Sequence, residues 1–222
     1  PHTAALLASD YEVPEDRIHI ARPGTDRPSE PAHPIDPALI LSVGIQLPRK
    51  GQDVLLKGLA GITDLNWQAK IVGAPLAAVY AQEVETLRLS LGLADRVTLT
   101  GQIGHDELGA LYRAASVFAL ATRFEGYGIV FDEALVHGLP IISCAAGAVP
   151  DTVPTDAGLL VPPDAPEAFA DALRQVLSDP DACQTLATAA QTAGHALPSW
   201  QDTGAIAATA LAAVTEERAP AP

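Results

Sequence analysis

Residues 123–144 read RFEGYGIVFDEALVHGLPIISC, and this segment carries more information about the fold than any other part of the chain. An apolar run of the kind found in buried strands, at 117–121, comes just before it. A helical pattern covers residues 129–137. Gly138 and Pro140 then stand where a helix-ending glycine and a following proline are expected, and a second apolar run comes next. The order of strand, glycine loop, helix and strand predicts one βαβ unit.

The glycine loop has the composition of an anion site. Gly126 and Gly128 carry no side chains just before the predicted helix, where unpaired backbone N–H groups and the helix dipole favour an anion such as phosphate. Glu125 precedes the helix and Glu133 lies within it. Each carboxylate is able to accept hydrogen bonds from two hydroxyl groups. Two glutamates beside an anion site therefore predict a ligand with both a phosphate and sugar hydroxyls.

The alternation of strand and helix continues through most of the chain. Further strands are predicted at 39–44, 69–73, 97–101 and 158–161, and helices at 52–59, 76–91, 105–115, 167–177, 180–193 and 200–215. Strands that alternate with helices form a parallel sheet covered on both faces, so the predicted fold class is α/β with a Rossmann-like sheet. Ligands of such sheets bind beyond the carboxyl ends of the strands.

The two ends of the chain are less regular. A weak helical pattern at 2–12 is followed by a short alternating strand at 17–21. Residues 27–37 are rich in proline and charge and are predicted to be a linker. The tail, 216–222, is predicted to be disordered. The chain starts with Pro1 and contains no methionine, and we therefore expect it to be part of a longer protein or a processed one.

Length and composition argue against several classes of protein. The chain has 222 residues, enough for one large domain or one and a half. Its formal charge of −14 argues against nucleic acid and anionic membranes as partners. It has no apolar run of about 18 residues that would predict a membrane span, and no signal-peptide pattern at its start. Cys144 and Cys183 are predicted to be buried thiols, which fits a cytoplasmic location, and neither has neighbours that suggest a metal site.

The central segment resembles a known family signature. The pattern EGYG-x4-EAL-x2-GLP, which holds Glu125 and Glu133, resembles the Glu-x7-Glu signature of retaining glycosyltransferases of the GT-B fold, in glycosyltransferase family 4 (group 1). Residues 2–26, which include YEVPEDRIHIARPGTD at 11–26, resemble the junction at which the N-terminal domain of that family leads into the C-terminal domain. The resemblance covers nearly the whole chain and implies the C-terminal, donor-binding half of a two-domain enzyme.

The resemblance also implies a division of the chain. Residues 1–37 would be the end of a missing N-terminal domain and the interdomain linker. Residues 38–196 would form the domain that binds a nucleotide-sugar donor. Residues 197–222 would hold a helix that crosses back to the missing domain, followed by the tail. An apolar face of that helix left exposed here would favour self-association.

The family's functional residues are carried over by position. Lys50, in the Lys-Gly that follows the first long strand, would contact the donor phosphates, and Arg49 beside it is a second cation. Glu133 would accept the ribose hydroxyls, and Glu125 would lie near the hydroxyls of the donor sugar. The backbone of 126–129 would lie near sugar and phosphates, and that of 102–103 near the base. The predicted donor-binding set is Gly44, Arg49, Lys50, Gln102, Ile103, Glu125, Gly126, Tyr127, Gly128, Ile129 and Glu133, of which Glu125 and Lys50 are predicted to be catalytic.

One position departs from the family pattern. The family commonly reads Val-Gly-Arg at the end of the first strand, and its arginine is a second phosphate clamp. This chain has Val43, Gly44 and Ile45 there, and an isoleucine does not bind phosphate. Either Arg49 or Arg123 takes over that role, or the activity is weak, altered or absent.

The mechanism implied by the resemblance is transfer with retention through an oxocarbenium-like transition state. The leaving phosphate would act as the base on a hydroxyl of an unknown acceptor, held by the missing domain, and neither a metal nor a cofactor is expected. The isolated chain is expected to bind nucleotide and to transfer little or nothing. Three alternatives stay open: a hydrolase that uses Glu125 and Glu133 as paired carboxylates, a GT-B epimerase of nucleotide sugars, and a non-catalytic nucleotide-binding or protein-binding module.

Overall fold

A computed structural model describes residues 2–217 of the protein. Six strands in that range form one sheet: β1 (Ala38–Val43), β2 (Trp67–Val72), β3 (Val97–Gly101), β4 (Val117–Leu120), β5 (Ile141–Cys144) and β6 (Gly158–Val161). Every neighbouring pair is parallel, and the order across the sheet is β3-β2-β1-β4-β5-β6. The predicted α/β class with a Rossmann-like parallel sheet is confirmed.

The same range holds nine α-helices: α1 (His2–Asp10), α2 (Gln52–Ala60), α3 (Ala78–Ser90), α4 (His105–Ala114), α5 (Ile129–Val136), α6 (Val149–Thr152), α7 (Pro166–Ser178), α8 (Pro180–His195) and α9 (Trp200–Glu217). Two 3₁₀ turns are formed by Glu15–Arg17 and Pro48–Lys50. No helix among the described residues is both long enough and apolar enough to pass through a membrane.

The helices bury both faces of the sheet, and β1 shows how. Successive side chains of a strand point to opposite faces. Ile40 packs with residues of α2, α3 and α7, whereas Leu39 and Leu41 pack with residues of α4, α5 and α8. All three side chains are at most 1% exposed. A strand buried on both sides explains why β1 reads as a continuous apolar run rather than an alternating one.

The order of the strands fixes where a ligand site forms. The chain builds outward from β1 through β2 to β3, and then returns to place β4 on the other side of β1. Because β1 and β4 are parallel neighbours, the loops that follow them meet at one edge of the sheet. This reversal of direction is the switch point at which open α/β sheets bind their ligands. The loops in question are 44–51 and 121–128.

The predicted strand at 17–21 is wrong. Residues Glu15–Arg17 form a 3₁₀ turn, and residues 18–21 have no regular structure. An isolated strand leaves its backbone N–H and C=O groups unpaired, so it needs a neighbour. No strand of the described sheet pairs with this segment. The alternation of Ile18 and Ile20 is therefore not sufficient to form a strand.

Two helix predictions also need correction. Helix α3 begins at Ala78 rather than at residue 76, and Val79 in its first turn is 75% exposed. Val79 and the buried Val84 are five residues apart, which is about 500° of helical rotation, or about 140° beyond one full turn. The side chain of Val79 therefore points away from that of Val84. The short helix α6, Val149–Thr152, follows Gly147, and the sequence analysis predicts no helix there.

The ends of the chain contact each other. The amide of Thr25 donates to the carbonyl of Pro198 at 3.1 Å, and the hydroxyl of Thr203 donates to the carbonyl of Arg22 at 2.6 Å. The segment before the predicted linker therefore packs against the start of α9. Of the tail predicted to be disordered, Glu216 and Glu217 end α9, and 218–222 lie outside the described residues.

Candidate functional site

The loop after β1 and the loop after β4 touch because of one glycine. Gly51, the residue before α2, has φ 63°, and a Cβ there would lie 1.9 Å from the carbonyl oxygen of Ala121. Only glycine fits this contact without a shift of the backbone. The close approach brings Lys50 to the side of Glu125.

A buried ion pair joins the two loops. The Nζ atom of Lys50 donates to Oε1 of Glu125 at 2.5 Å. Lys50 is 7% exposed and Glu125 is 5% exposed. The hydroxyl of Thr122 lies 3.1 Å from the same carboxylate oxygen. A buried ion pair is expensive to desolvate and adds little stability in itself, so its position at the ligand edge of the sheet points to chemistry rather than to stability.

Arg49 gives this cluster an excess of positive charge. Its Nη1 atom lies 3.7 Å from Oε2 of Glu125, and its side chain is 44% exposed. Two cations thus face one carboxylate. An incoming anion completes the charge balance, and the exposed guanidinium of Arg49 is free to turn toward it. Gly44 allows the approach of the lysine, because its Cα packs against the Lys50 stem and a Cβ there would lie 3.3 Å from Lys50 Cδ.

The start of α5 lies directly beside the ion pair. Gly128 precedes the helix with φ 87° and ψ 60°, and a Cβ there would meet the ring of Phe131 at 2.6 Å. At Gly126, by contrast, a Cβ would have no heavy atom within 4 Å. The backbone is therefore open toward solvent at Gly126 and fixed at Gly128. A helix start with this geometry presents free N–H groups to an anion.

Glu133 lies one helical turn further on and faces a cavity of about 400 Å³. The cavity runs between α4, α5 and residues 24–30, and Ile129 also lines it. The hydroxyl of Tyr112 donates to Oε2 of Glu133 at 2.7 Å. Burial raises the pKa of the Glu133 carboxyl above its usual value, although the hydrogen bond from Tyr112 acts the other way. The cavity wall thus carries a carboxylate with one oxygen held by a tyrosine.

Two polar groups in the same cavity wall lack a hydrogen-bond partner among the described residues. They are Oγ1 of Thr25, a residue 7% exposed, and Nε of Arg113. The guanidinium of Arg113 reaches Glu30 through Nη2 at 3.2 Å. Buried polar groups are normally satisfied, so these two atoms are exceptions, and both lie beneath the surface of the cavity. Sequence reasoning missed both, because no local pattern links residue 25 to residue 113.

The predicted site residues fall into two groups. Gly44, Arg49, Lys50 and Glu125 are in contact with one another, next to the open loop at 126–128. Ile129 and Glu133 line the cavity instead.

Three other predicted residues lie apart from these contacts. Tyr127 turns its hydroxyl to Oδ2 of the buried Asp132, at 2.5 Å, which agrees with a packing role. Gln102 is exposed at the end of β3, and Ile103 packs on the core. Neither Gln102 nor Ile103 makes a described hydrogen bond to the other site residues, so their predicted role near the base is untested.

Arg123 is not free to replace the missing arginine. Its Nη1 and Nη2 atoms bind both carboxylate oxygens of Asp53 at 2.9 and 2.8 Å. Its Nε atom donates to Asp164 at 2.7 Å, and Nη1 also donates to the carbonyl of Pro48. These contacts use four of the five N–H donors of a guanidinium. Of the two substitutes considered for the cation absent at Ile45, only Arg49 has a guanidinium available.

No three His, Cys, Asp or Glu side chains come together as potential metal ligands within the described range. Both cysteines are free thiols, and of the burial predicted for both, Cys144 is buried whereas Cys183 is only partly buried. Burial raises the pKa of the Cys144 thiol to about 11. The expectation that no metal takes part stays a prediction.

Comparison with known proteins agrees with this geometry. A D-inositol 3-phosphate glycosyltransferase of Xylanimonas cellulosilytica is 30% identical over 242 residues, and the match covers 96% of this chain and 58% of that protein. A GDP-mannose-dependent alpha-(1-6)-phosphatidylinositol monomannoside mannosyltransferase of Mycobacterium tuberculosis is 37% identical over 147 residues, covering 61% of this chain and 37% of that protein. The chain thus spans well under two thirds of the length of either relative.

A solved structure is similar as well. Anabaena Alr3699/HepE in complex with UDP and glucose is 25% identical, with a TM-score of 0.71, and covers 77% of this chain and 47% of that one. The family model described as "Glycosyl transferases group 1" matches residues 25–193. This match covers most of the chain and includes all six strands of the sheet. The sheet is the Rossmann-like one of the C-terminal domain of the GT-B fold. The chain therefore belongs to the group 1 glycosyltransferases.

Proposed function

We propose that this chain is the donor-binding half of a retaining glycosyltransferase that takes a nucleoside-diphosphate sugar. The observation that carries the proposal is the buried Lys50–Glu125 ion pair beside the start of α5, the helix from which Glu133 faces a cavity. One ligand that spans these features has an anionic part at the ion pair and hydroxyl groups at the cavity.

Each part of such a donor has a matching group in the site. The diphosphate would lie between Arg49, Lys50 and the start of α5, where positive charge would stabilise the leaving group as the glycosidic bond breaks. The ribose hydroxyls would donate to the free oxygen of Glu133. Oε2 of Glu125, which lies 3.7 Å from Nη1 of Arg49, would accept from the donor sugar. The nucleoside would occupy the cavity of about 400 Å³.

The names of the relatives support a nucleoside-diphosphate sugar as the donor, but they differ in the nucleotide base. One relative is named for GDP-mannose, and one solved neighbour is described with UDP and glucose. In our proposal the sugar is passed, with retention, to an acceptor hydroxyl bound by an N-terminal domain, and the leaving phosphate acts as the base. Residues 1–37 and 197–222 would join that domain to the donor domain at 38–196. The cytoplasmic location inferred from the cysteines stays a prediction.

Calorimetric titration with UDP, GDP and ADP, without added metal, tests the proposal. We expect one of them to bind, and we expect Glu133→Gln to weaken it about 10- to 100-fold, since a hydrogen bond to a charged group contributes about 1.5–3 kcal/mol. Glu83→Gln, at an exposed position on α3, is the matched control and should bind as the wild type does. Absence of binding for all three nucleotides would reject the proposal.

A second candidate is a non-catalytic nucleotide-binding module. It is favoured by Ile45, which puts an apolar side chain directly after β1 where a second cation would help the leaving group. Incubation of the chain with UDP-glucose or GDP-mannose, followed by assay of released nucleoside diphosphate, tests this second candidate, because clear release would reject it. We expect binding with little or no release from this chain alone. Clear turnover would show that the acceptor half is not required for bond cleavage.

A further inference from the structure

We propose that Arg123 is a positioning residue, which holds the phosphate-binding turn Pro48–Lys50 in place through Asp53 and Asp164 without touching the ligand itself. The proposal rests on the proposed function, because it assigns a role within the same donor site. It goes beyond that function by naming a residue outside the predicted donor-binding set.

Arg123 connects three loops at the carboxyl edge of the sheet. It lies in the loop after β4, it donates to the carbonyl of Pro48 in the loop after β1, and it donates to Asp164 in the loop after β6. Asp164 has φ 57°, a left-handed conformation that is uncommon for a residue other than glycine. Unusual backbone of this kind persists where the surroundings hold it, and it is concentrated near functional sites.

The turn that carries Arg49 and Lys50 is bonded mainly to the Arg123 region. The amide of Arg123 donates to the carbonyl of Arg49 at 2.7 Å, and the hydroxyl of Thr122 lies 3.0 Å from the same oxygen. The guanidinium of Arg123 also donates to the carbonyl of Pro48. Two successive carbonyl groups of the turn therefore accept hydrogen bonds from residues in the loop after β4. The position of Lys50 relative to Glu125 therefore depends on this set of contacts.

The carboxylate of Asp53 holds the guanidinium of Arg123 in place, and the guanidinium neutralises the charge of that carboxylate. Asp53 is in the first turn of α2, and its Oδ1 atom also accepts from the hydroxyl of Tyr80 at 2.8 Å. Its side chain is 24% exposed, and it lies three residues after Lys50. Partial burial of the Asp53 carboxylate is unfavourable unless a cation pairs with it. Arg123 supplies that cation, with both N–H groups of the fork on the two oxygens.

The decisive test compares a nucleoside diphosphate with its nucleoside in the Arg123→Gln variant. The probes are UDP, GDP and ADP with uridine, guanosine and adenosine, titrated against the 222-residue chain. We expect the affinity for the bound diphosphate to fall about ten-fold or more, as it does when a group that orients a binding residue is lost. Affinity for the nucleoside should stay within about two-fold, because the cavity around Glu133 does not contact Arg123.

Arg174 offers a matched control elsewhere in the molecule. Its guanidinium binds both oxygens of Asp64, each at 2.7 Å, and the carbonyl of Gly61 at 3.1 Å. Arg174→Gln therefore removes the same kind of contact far from the site. It should leave the diphosphate affinity unchanged. An equal fall in affinity in both variants would mean that Arg123 acts only through general stability, and would overturn the proposal.

Asp53→Asn separates positioning from direct binding. If Arg123 bound phosphate itself, freeing it from Asp53 would preserve or raise the diphosphate affinity. We expect the opposite result, a fall in diphosphate affinity similar to that in Arg123→Gln, because the guanidinium of Arg123 is no longer held by the Asp53 carboxylate. Diphosphate affinity that holds or rises in Asp53→Asn overturns the positioning role.

A measurement without ligand keeps the inference distinct from the proposed function. Hydrogen exchange of the Lys50 and Gly51 amides, which donate to Leu47 and Pro48, reports on the turn alone. We expect faster exchange in Arg123→Gln and no change in Arg174→Gln. Failure of the wild type to bind any nucleotide would reject the proposed function, whereas unchanged exchange and unchanged affinity in Arg123→Gln would reject the positioning role alone.

Discussion

At the scale of single residues, burial of Glu133, the proposed ligand of the ribose hydroxyls, has a cost to stability. The folded protein buries its carboxyl, and the pKa of Glu133 is raised as a result. A group whose pKa is higher in the folded than in the unfolded state contributes stability below the unfolded value, and this contribution is lost as pH rises through the folded value. At neutral pH the ionised Glu133 therefore destabilises the protein, while the same charge suits it to accept two ribose hydroxyls.

This balance predicts that Glu133→Gln separates binding from stability. The glutamine keeps an acceptor for the hydroxyl of Tyr112, which lies 2.7 Å from the carboxylate, and removes the buried charge. We expect thermal unfolding at pH 7, without nucleotide, to give a melting temperature equal to or above that of the wild type. The difference should shrink as pH falls toward the ordinary glutamate value of 4.5. A large drop in melting temperature at pH 7 would contradict this reading of the carboxyl.

The residues of the site were accessible to sequence reasoning only in part. Glu125, Lys50 and Glu133 stand in a recognisable local pattern. Their partners do not: the hydroxyl of Tyr112 comes from α4, and the carboxylate of Asp53, which holds Arg123, comes from α2. Contacts between residues far apart in the sequence depend on the packing of the elements, which periodicity does not specify.

At the scale of elements, α2 depends on the glycine that precedes it. Gly51 and Gly92 have similar backbone angles, φ 63° and 68°, but a Cβ at Gly51 would lie 1.9 Å from the Ala121 carbonyl, whereas one at Gly92 would meet nothing within 4 Å. Alanine at either position destabilises the folded protein by on the order of 1 kcal/mol, because a positive φ is strained for any residue with a Cβ. Only Gly51→Ala also forces the two loops apart, at about 1–3 kcal/mol more.

Denaturant unfolding of the two alanine variants measures this difference. We expect Gly51→Ala to lower the free energy of unfolding by about 1–3 kcal/mol more than Gly92→Ala. Diphosphate affinity should also fall in Gly51→Ala alone, because the shift moves Lys50 away from Glu125. Equal unfolding midpoints for the two variants would show that the backbone near Ala121 relaxes without cost.

The elements that sequence reasoning predicted correctly are those whose pattern reports their burial. All six strands of the described sheet were predicted, β1, β4, β5 and β6 from apolar runs, and β2 and β3 from runs that mix apolar with polar residues. The wrong predictions concern segments in which the apolar pattern does not correspond to burial in the folded protein. Residues 17–21 alternate like a strand but have no described neighbour to pair with, and Val79 is apolar but lies on the exposed face of α3. Helix α6 is a single turn, too short to show a period.

At the scale of the whole molecule, strong negative charge and exposed apolar surface act against each other. The chain carries a charge of −14, which keeps copies apart in dilute salt. On α9, Trp200 is 53% exposed and Leu211 is 69% exposed. Eleven residues amount to about three turns, so these two side chains share one face of the helix. Trp200 also lines the cavity beside Glu133, but Trp200 and Leu211 both keep more than half of their surface exposed, and apolar surface of this kind favours association.

Self-association of the chain is therefore expected to increase with salt. Repulsion between like charges is screened over about 10 Å at 0.1 M salt and over about 3 Å at 1 M, whereas apolar contact is not weakened by screening. Sedimentation velocity at low and high sodium chloride should show a larger share of dimer at high salt. Leu211→Lys should reduce that share, and Leu89→Lys, at a position on α3 that is 54% exposed, is the matched control that should not. A chain that stays monomeric at high salt and high concentration would show that this face of α9 is too small to associate.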